Sequence, residues 1–564
     1  MKQHPNDIAK ANSLLGYNFA KTLESIGIKN IFFSPGSRST PLILGIERYS
    51  NIELTPVLDE RTAAFIALGK SKRDQFPTGI ICTSGSALTH WFPAVTEACH
   101  SSIPIFLFSA DRPLELQDCA AGQTIDQQNI FGKFVREFHQ METPSLERSF
   151  TAYLVNTLQL AFRQSIGLNP GPVHLNFPLR EPFLPASFEE PDIFSDEKDI
   201  QNFRPSYPNS CKSITEIVSS CKRPLIIAGQ FTTKESLQIW LDNKNIPVLC
   251  DSLSPGRHTG HSSVILRYEN LLRDFSFTQK ARPDLIIVLG PLPTSKTLRK
   301  WIDDTDAKRI IIEPRGVNVD PLSSESTSFQ IEYGQLANIS FPVFEFGWAN
   351  LWIDADQKIE KKLATFFSAT FDIFEGKLAY LLSLHLPKKS QIFIANSMPM
   401  RDFEWFWLNI SSDRKLLGNR GVNGIDGTLG TAIGMAYKSN KPNFLVTGDL
   451  AFLHDSNALL FAKQFQGNLT VFVINNGGGG IFEHLPIAKE PEFEKCFATP
   501  QSVDLEKLCS TFKVKHELLS SWTEIIERIK KPAESGIHVI EILTNRKKDR
   551  QIRQKLLSMS PFNA

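Results

Sequence analysis

Short apolar and β-branched runs alternate with helix-length segments along nearly the whole chain. That alternation predicts helices layered on parallel sheets. In the first block, residues 31–34, 53–58, 79–83 and 105–109 read as strands. Each of these ends in a polar or glycine-rich loop, among them Pro35-Gly36-Ser37-Arg38, Ser84-Gly85-Ser86 and Ala110-Asp111-Arg112-Pro113. Open α/β sheets place their ligands outside such carboxyl ends. A helix rich in alanine is predicted over 60–70, and a proline-punctuated stretch, 172–185, closes the block. A middle block carries strands at 224–228, 248–251, 285–289 and 309–313 and ends between about 345 and 365. The third begins near 366, with strands at 391–395, 443–447, 469–474 and 538–542. The expectation is an α/β chain of three doubly wound parallel-sheet domains, over 1–185, 186–355 and 356–564.

Length agrees, since 564 residues exceed what one core supports. Charge narrows the function classes. Lys plus Arg number 61 against 60 for Asp plus Glu, so there is no broad basic surface for nucleic acid or an anionic membrane. Anion recognition must then be local. No apolar stretch reaches the ~20 residues that span a bilayer, and the first residues lack a signal-peptide core. Eight cysteines without CxxC spacing predict free thiols in a reducing cytoplasm.

The densest chemistry lies over 448–478. A buried strand, 444–447, ends in Gly448-Asp449-Leu450-Ala451-Phe452. A helical stretch, 456–463, leads to a second strand, 470–474, which runs into Asn475-Asn476-Gly477-Gly478. Magnesium takes hard oxygen ligands and is commonly shared with phosphate oxygens. Asp449 can give a carboxylate, Asn476 an amide oxygen and Gly478 a carbonyl. Gly448 lets backbone approach a diphosphate, and the helix start that follows favours negative charge. Taken singly, Gly-Asp caps helices and Asn-Asn-Gly makes turns. The pair, one βαβ unit apart, is more specific. A glycine series, Gly424 to Gly434, precedes it, and close helix–strand packing accounts for most of its members. In the first block Glu60 opens a helix directly after a strand. Acids are ordinary there, but a desolvated carboxyl group at that place can also act on a proton.

The Gly-Asp…Asn-Asn pattern resembles that of thiamine-diphosphate-dependent enzymes of the pyruvate decarboxylase-like fold, with Leu450 where glycine is frequent. The resemblance implies a pyrimidine-binding first domain, a central domain and a diphosphate- and magnesium-binding third domain, with Mn²⁺ as a substitute metal. It gives Glu60 the role of hydrogen-bonding the cofactor's pyrimidine ring, and Ile425 that of the apolar residue beneath the cofactor. It also implies active sites between subunits, hence a homodimer or homotetramer.

Across its full length the chain is similar to the menaquinone-biosynthesis branch of that family. The pieces that carry this are Ser34-Pro-Gly-Ser-Arg-Ser-Thr-Pro-Leu42, Asp59-Glu-Arg-Thr-Ala-Ala-Phe65, Ser109-Ala-Asp-Arg-Pro113, Asn396-Ser-Met-Pro-Met-Arg-Asp402, Asn419-Arg-Gly-Val-Asn-Gly-Ile-Asp-Gly427 and Asn475-Asn-Gly-Gly-Gly-Gly-Ile-Phe482. That branch decarboxylates 2-oxoglutarate and adds the succinyl carbanion equivalent to isochorismate in a 1,4-addition. The resemblance implies substrate contacts from Ser37, Arg38, Gln123, Ser397, Arg401 and Arg420, further anion binding by Arg112 and Lys296, and an apolar wall from Ile481 and Phe482. Arginine's planar fork suits carboxylates, and the four arginines are expected in loops after strands. Gly122 and Thr297 depart from the branch's pattern and bear on how carboxylates are held. Three other readings stand beside this one: a pyruvate-using carboligase of the acetohydroxyacid synthase type, a non-catalytic cofactor binder, and a dinucleotide oxidoreductase. The last lacks GxGxxG after its first strand.

Overall fold

A computed structural model describes residues 4–184, 208–242, 246–322, 325–339, 342 and 344–562. Three six-stranded sheets account for its strands, and every pairing is parallel. The first holds β1 (Asn30–Phe33), β2 (Glu53–Pro56), β3 (Thr78–Cys82), β4 (Ile105–Asp111), β5 (Glu137–Gln140) and β6 (Val173–Pro178) in the order β2-β1-β3-β4-β6-β5. The second holds β7 (Pro224–Ala228), β8 (Val248–Cys250), β9 (Val264–Ile265), β10 (Leu285–Leu289), β11 (Lys308–Ile312) and β12 (Thr327–Phe329). The third holds β13 (Gln391–Ile394), β14 (Lys415–Leu417), β15 (Asn443–Gly448), β16 (Asn468–Asn475), β17 (Lys515–Leu519) and β18 (Gly536–Leu543).

The third sheet's order, β14-β13-β15-β16-β18-β17, repeats that of the first strand for strand. In both, chain order reverses beside the first strand, which opens a crevice there. Ser37 and Arg38 follow β1, and Ser397 follows β13. Gly448 ends β15, the next strand across that crevice, and Asp449 opens the helix after it. The topology therefore places equivalent loops of two domains at ligand-accepting strand ends.

The expected strands are present with small shifts at their ends. β6 lies inside the proline-punctuated stretch that closes the first block and is buried along its whole length. Its His174 and Asn176 interrupt the apolar run, and buried polar groups are tolerated only when partnered. Ser109 Oγ lies 2.7 Å from both His174 Nε2 and Asn176 Oδ1, while Asn176 Nδ2 donates to Asp111 at 2.7 Å. The break expected at 185/186 lies outside the described residues. The one expected at 355/356 falls within a continuous helix, Trp348–Ala369.

The chain forms two compact units. One contains the first sheet with Asn419–Ser439 and Leu453–Gly467. In it the helix Glu60–Asp74 packs on the helix Thr428–Ala436. A methyl group at Gly69 or Gly434 would collide with the backbone carbonyl of Thr431 or Ile66. Both glycines therefore serve helix–helix contact, and for Gly434 this corrects the helix–strand packing expected of most of its series. The other unit contains the second and third sheets over a shared apolar core that includes Leu225, Ile286, Phe444 and Phe472. No helix of the described residues is long and apolar enough to cross a membrane.

Candidate functional site

In the second unit, β15 and β16 lie side by side, and their ends bring Gly448, Asp449, Asn476 and Gly478 together. Gly448 faces open space: a side chain there would meet nothing within 4 Å. Asp449 opens the helix Asp449–His454, which also carries Leu450 and Ala451. Its Oδ2 accepts the Gly478 N–H at 2.8 Å. Gly478 holds φ at +130°, a backbone shape that side chains rarely adopt. Burial pushes the Asp449 carboxyl up to about 6, against the N–H groups of Leu450 and Gly478 and with help from the charge of Glu375.

Asn476 is 9% exposed and Asp449 5%. The Asn476 amide donates from Nδ2 to Glu375 Oε2 at 3.1 Å, while its Oδ1 is buried without a hydrogen-bond partner among the described residues. A buried acceptor left over is costly unless something meets it. A carboxylate, an orphaned amide oxygen and a glycine-rich turn beside an open glycine form a hard-oxygen set, and these residues fit a divalent cation with a diphosphate. Glu375 itself is held by Arg553 at 2.6 Å, and Arg553 also grips Asp402 at 2.8 and 2.6 Å.

The same unit holds further predicted residues. Arg401 was expected in a loop, yet it lies in the helix Met398–Phe406. Pro399 in the first turn, where its missing N–H is no loss, starts that helix immediately after the strand-end loop. Arg401 Nη1 donates to the Ser397 carbonyl at 2.8 Å, and Ser397 takes a positive φ of 72°. Ile481 and Phe482 sit half-buried on the turn Gly480–His484. His484, on that turn, was not anticipated. Burial and then the charges of Arg553, Arg550, Arg401 and Arg273 lower its pKa to about 4. These arginines come from segments far apart in sequence, so their approach to His484 cannot be read there. Lys296 is exposed at the start of the helix Lys296–Asp303 and lines a cavity of about 610 Å³ with Arg282, Lys300 and Trp301. The neighbouring Thr297 donates to Glu269 at 2.7 Å.

In the first unit, Glu60 is half-buried in the first turn of its helix, whose N-cap is Asp59. Arg112 hydrogen-bonds Ser84 Oγ, and Gln123 Nε2 donates to the Ser84 carbonyl at 3.1 Å. Arg38 is 5% exposed, unlike the exposed Ser37 beside it. It donates to the Leu179 carbonyl and to Glu181 at 3.3 Å. Burial, then the nearby Arg112 charge, lowers its pKa from the ordinary value. Arg38, Arg112, Ser84 and Gln123 thus converge on the ends of β1, β3 and β4. Gly122, next to Gln123, faces open space.

Arg420 and Ile425, both half-buried, lie on one loop of this unit. Glu97, which the sequence did not point to, anchors it. Its carboxylate accepts the N–H groups of Gly421 and Val422 at 3.0 and 2.9 Å. It also pairs with buried Lys72 at 3.4 Å, and Lys72 reaches Asn419 at 3.0 Å.

Family comparisons agree with this arrangement. Residues 15–130 match the N-terminal TPP binding domain of thiamine pyrophosphate enzymes, 208–394 the middle domain and 403–542 the C-terminal TPP binding domain. A 2-succinyl-5-enolpyruvyl-6-hydroxy-3-cyclohexene-1-carboxylate (SEPHCHC) synthase of Trichodesmium erythraeum is 38% identical over 97% of this chain and 98% of its own. Synthases of the same name from Nostoc sp. and Gloeothece citriformis are each 39% identical, over 97% and 96% of this chain and 97% of theirs. With both TPP binding domains present and likeness along nearly its full length, the chain belongs to the SEPHCHC synthase family of thiamine pyrophosphate enzymes.

Proposed function

We propose that the chain decarboxylates 2-oxoglutarate and joins the succinyl unit to isochorismate by 1,4-addition, giving SEPHCHC and CO₂ in menaquinone biosynthesis. The observation that carries this reading is the near-full-length likeness to synthases that bear that product's name. When bound, thiamine diphosphate supplies the electron sink that such a decarboxylation requires. Asp449, Asn476 and the Gly478 carbonyl would hold Mg²⁺, or Mn²⁺ in its place, and Gly448, Leu450 and Ala451 would line the diphosphate. The orphaned Asn476 Oδ1 supports that assignment.

Glu60 would hydrogen-bond the pyrimidine ring of the bound cofactor, and Ile425 would give it an apolar contact. Both substrates are carboxylic acids. Arg38, Arg112, Arg401, Arg420 and Lys296 orient their carboxylates, with Ser37, Gln123 and Ser397 as polar neighbours. Ile481 and Phe482 exclude water. Residues 1–185 form the pyrimidine-binding domain, 186–355 the central domain and 356–564 the diphosphate domain. In a homodimer or homotetramer the first domain of one subunit would complete the third of another. Eight free cysteines support a cytoplasmic setting. The test is turnover: SEPHCHC should form from 2-oxoglutarate plus isochorismate and not from pyruvate. Turnover of pyruvate alone would overturn the reading in favour of another carboligase.

A further inference from the structure

We propose that Glu375 is a positioning residue that fixes which end of the Asn476 amide faces the metal. The inference rests on the cofactor reading above and deepens it. An asparagine amide has an oxygen end that can ligate a cation and an NH₂ end that cannot. The two ends have nearly the same shape, so packing alone does not choose between them. A carboxylate chooses, because it only accepts hydrogen bonds. Glu375 Oε2 lies 3.1 Å from Asn476 Nδ2, so the NH₂ end turns toward Glu375 and Oδ1 turns away from it. Oδ1 is buried and finds no hydrogen-bond partner among the described residues.

Glu375 can do this because it is buried and ion-paired. It is 2% exposed, at the start of the helix Glu375–His385, and is tied to Arg553 at 2.6 Å. Arg553 is locked in turn by its two hydrogen bonds to Asp402, at 2.8 and 2.6 Å. The chain Asp402–Arg553–Glu375–Asn476 thus links three helices to one amide. Partners of metal ligands fix ligand orientation in this way, and losing one typically costs about 10–100-fold in metal affinity.

The test titrates Mn²⁺ into the full chain with saturating thiamine diphosphate and follows free Mn²⁺ by electron paramagnetic resonance. In Glu375→Gln the side chain can also donate, so the amide is free to reverse. Mn²⁺ affinity is expected to fall about 10–100-fold. Adding Asn476→Asp to that variant should restore most of the affinity, because a carboxylate has no wrong end. Parent-like affinity in a folded E375Q, or equal loss in the double variant, overturns the proposal. Circular dichroism of the metal-free proteins checks the fold. Should E375Q not fold, Glu375→Asp decides: it keeps an acceptor-only group but withdraws it, so it must bind Mn²⁺ more weakly than the parent, and parent-like affinity overturns the idea. If the parent chain binds no Mn²⁺ with thiamine diphosphate, the cofactor reading itself fails, which is a separate result.

Discussion

Asp449 accepts the backbone N–H of Gly478 at 2.8 Å, which ties the end of β15 to the turn after β16. The contact uses one carboxylate oxygen, Oδ2, to hold the glycine turn. Asp449→Asn keeps an acceptor for Gly478 but removes the charge. Its metal affinity, measured by Mn²⁺ titration with thiamine diphosphate, should fall by more than the about 10–100-fold that a merely supporting partner costs. An unchanged affinity would take Asp449 out of the metal shell.

Glu60→Gln should separate binding from chemistry. The amide preserves shape, so calorimetry should find thiamine diphosphate bound about as well as in the parent. Turnover of 2-oxoglutarate with isochorismate should drop by about 10²–10⁴, the range for a positioned proton-transferring group. Full turnover in this variant would remove Glu60 from that role.

Glu97 sets the loop that carries Arg420 and Ile425, although the sequence gives no hint of it. Glu97→Ala removes the counter-charge of buried Lys72 and the acceptor of two backbone N–H groups. Breaking a buried pair from one side costs about 3–5 kcal/mol. Thermal melting should show that loss, and the KM for the acidic substrates should rise in whatever fraction remains folded. A parent-like melting temperature would show that the loop holds itself.

Asp455 gives a pH-dependent prediction. It is fully buried, accepts the Gly430 N–H at 2.7 Å and pairs with Arg61 at 3.1 Å. Burial pushes its carboxyl up to about 6, against those partners. An unfolded aspartate titrates near about 3.9, so between the two values only the folded chain keeps the proton. This contribution to stability is present at low pH and is lost as pH rises through about 6. Asp455→Asn cannot titrate. Its melting temperature should therefore improve relative to the parent as pH rises from about 4 to 7. A pH-independent difference between the two would contradict this assignment.

Much of this was legible because strand ends write their chemistry locally. Gly448-Asp449 and Asn475-Asn476 each follow an apolar strand, and the sheet makes those strands neighbours. What stayed hidden depends on partners far along the chain. β6 was obscured by His174 and Asn176, whose burial makes sense only once Ser109 and Asp111 stand beside them. Glu375 reads as an ordinary acid in a helix's first turn, and its contact with Asn476 spans 101 positions. Arg401 reads as a loop residue because the helix that carries it begins only three residues earlier. The repeated strand order of the first and third sheets emerges only from how the strands pair.

The central claim, a metal–diphosphate cradle at the ends of β15 and β16, is tested most directly by titrating thiamine diphosphate into the chain with and without Mg²⁺. Tight binding that requires Mg²⁺ and disappears in Asp449→Ala is the predicted result. Binding that is indifferent to Mg²⁺, or that survives in that variant, would contradict it.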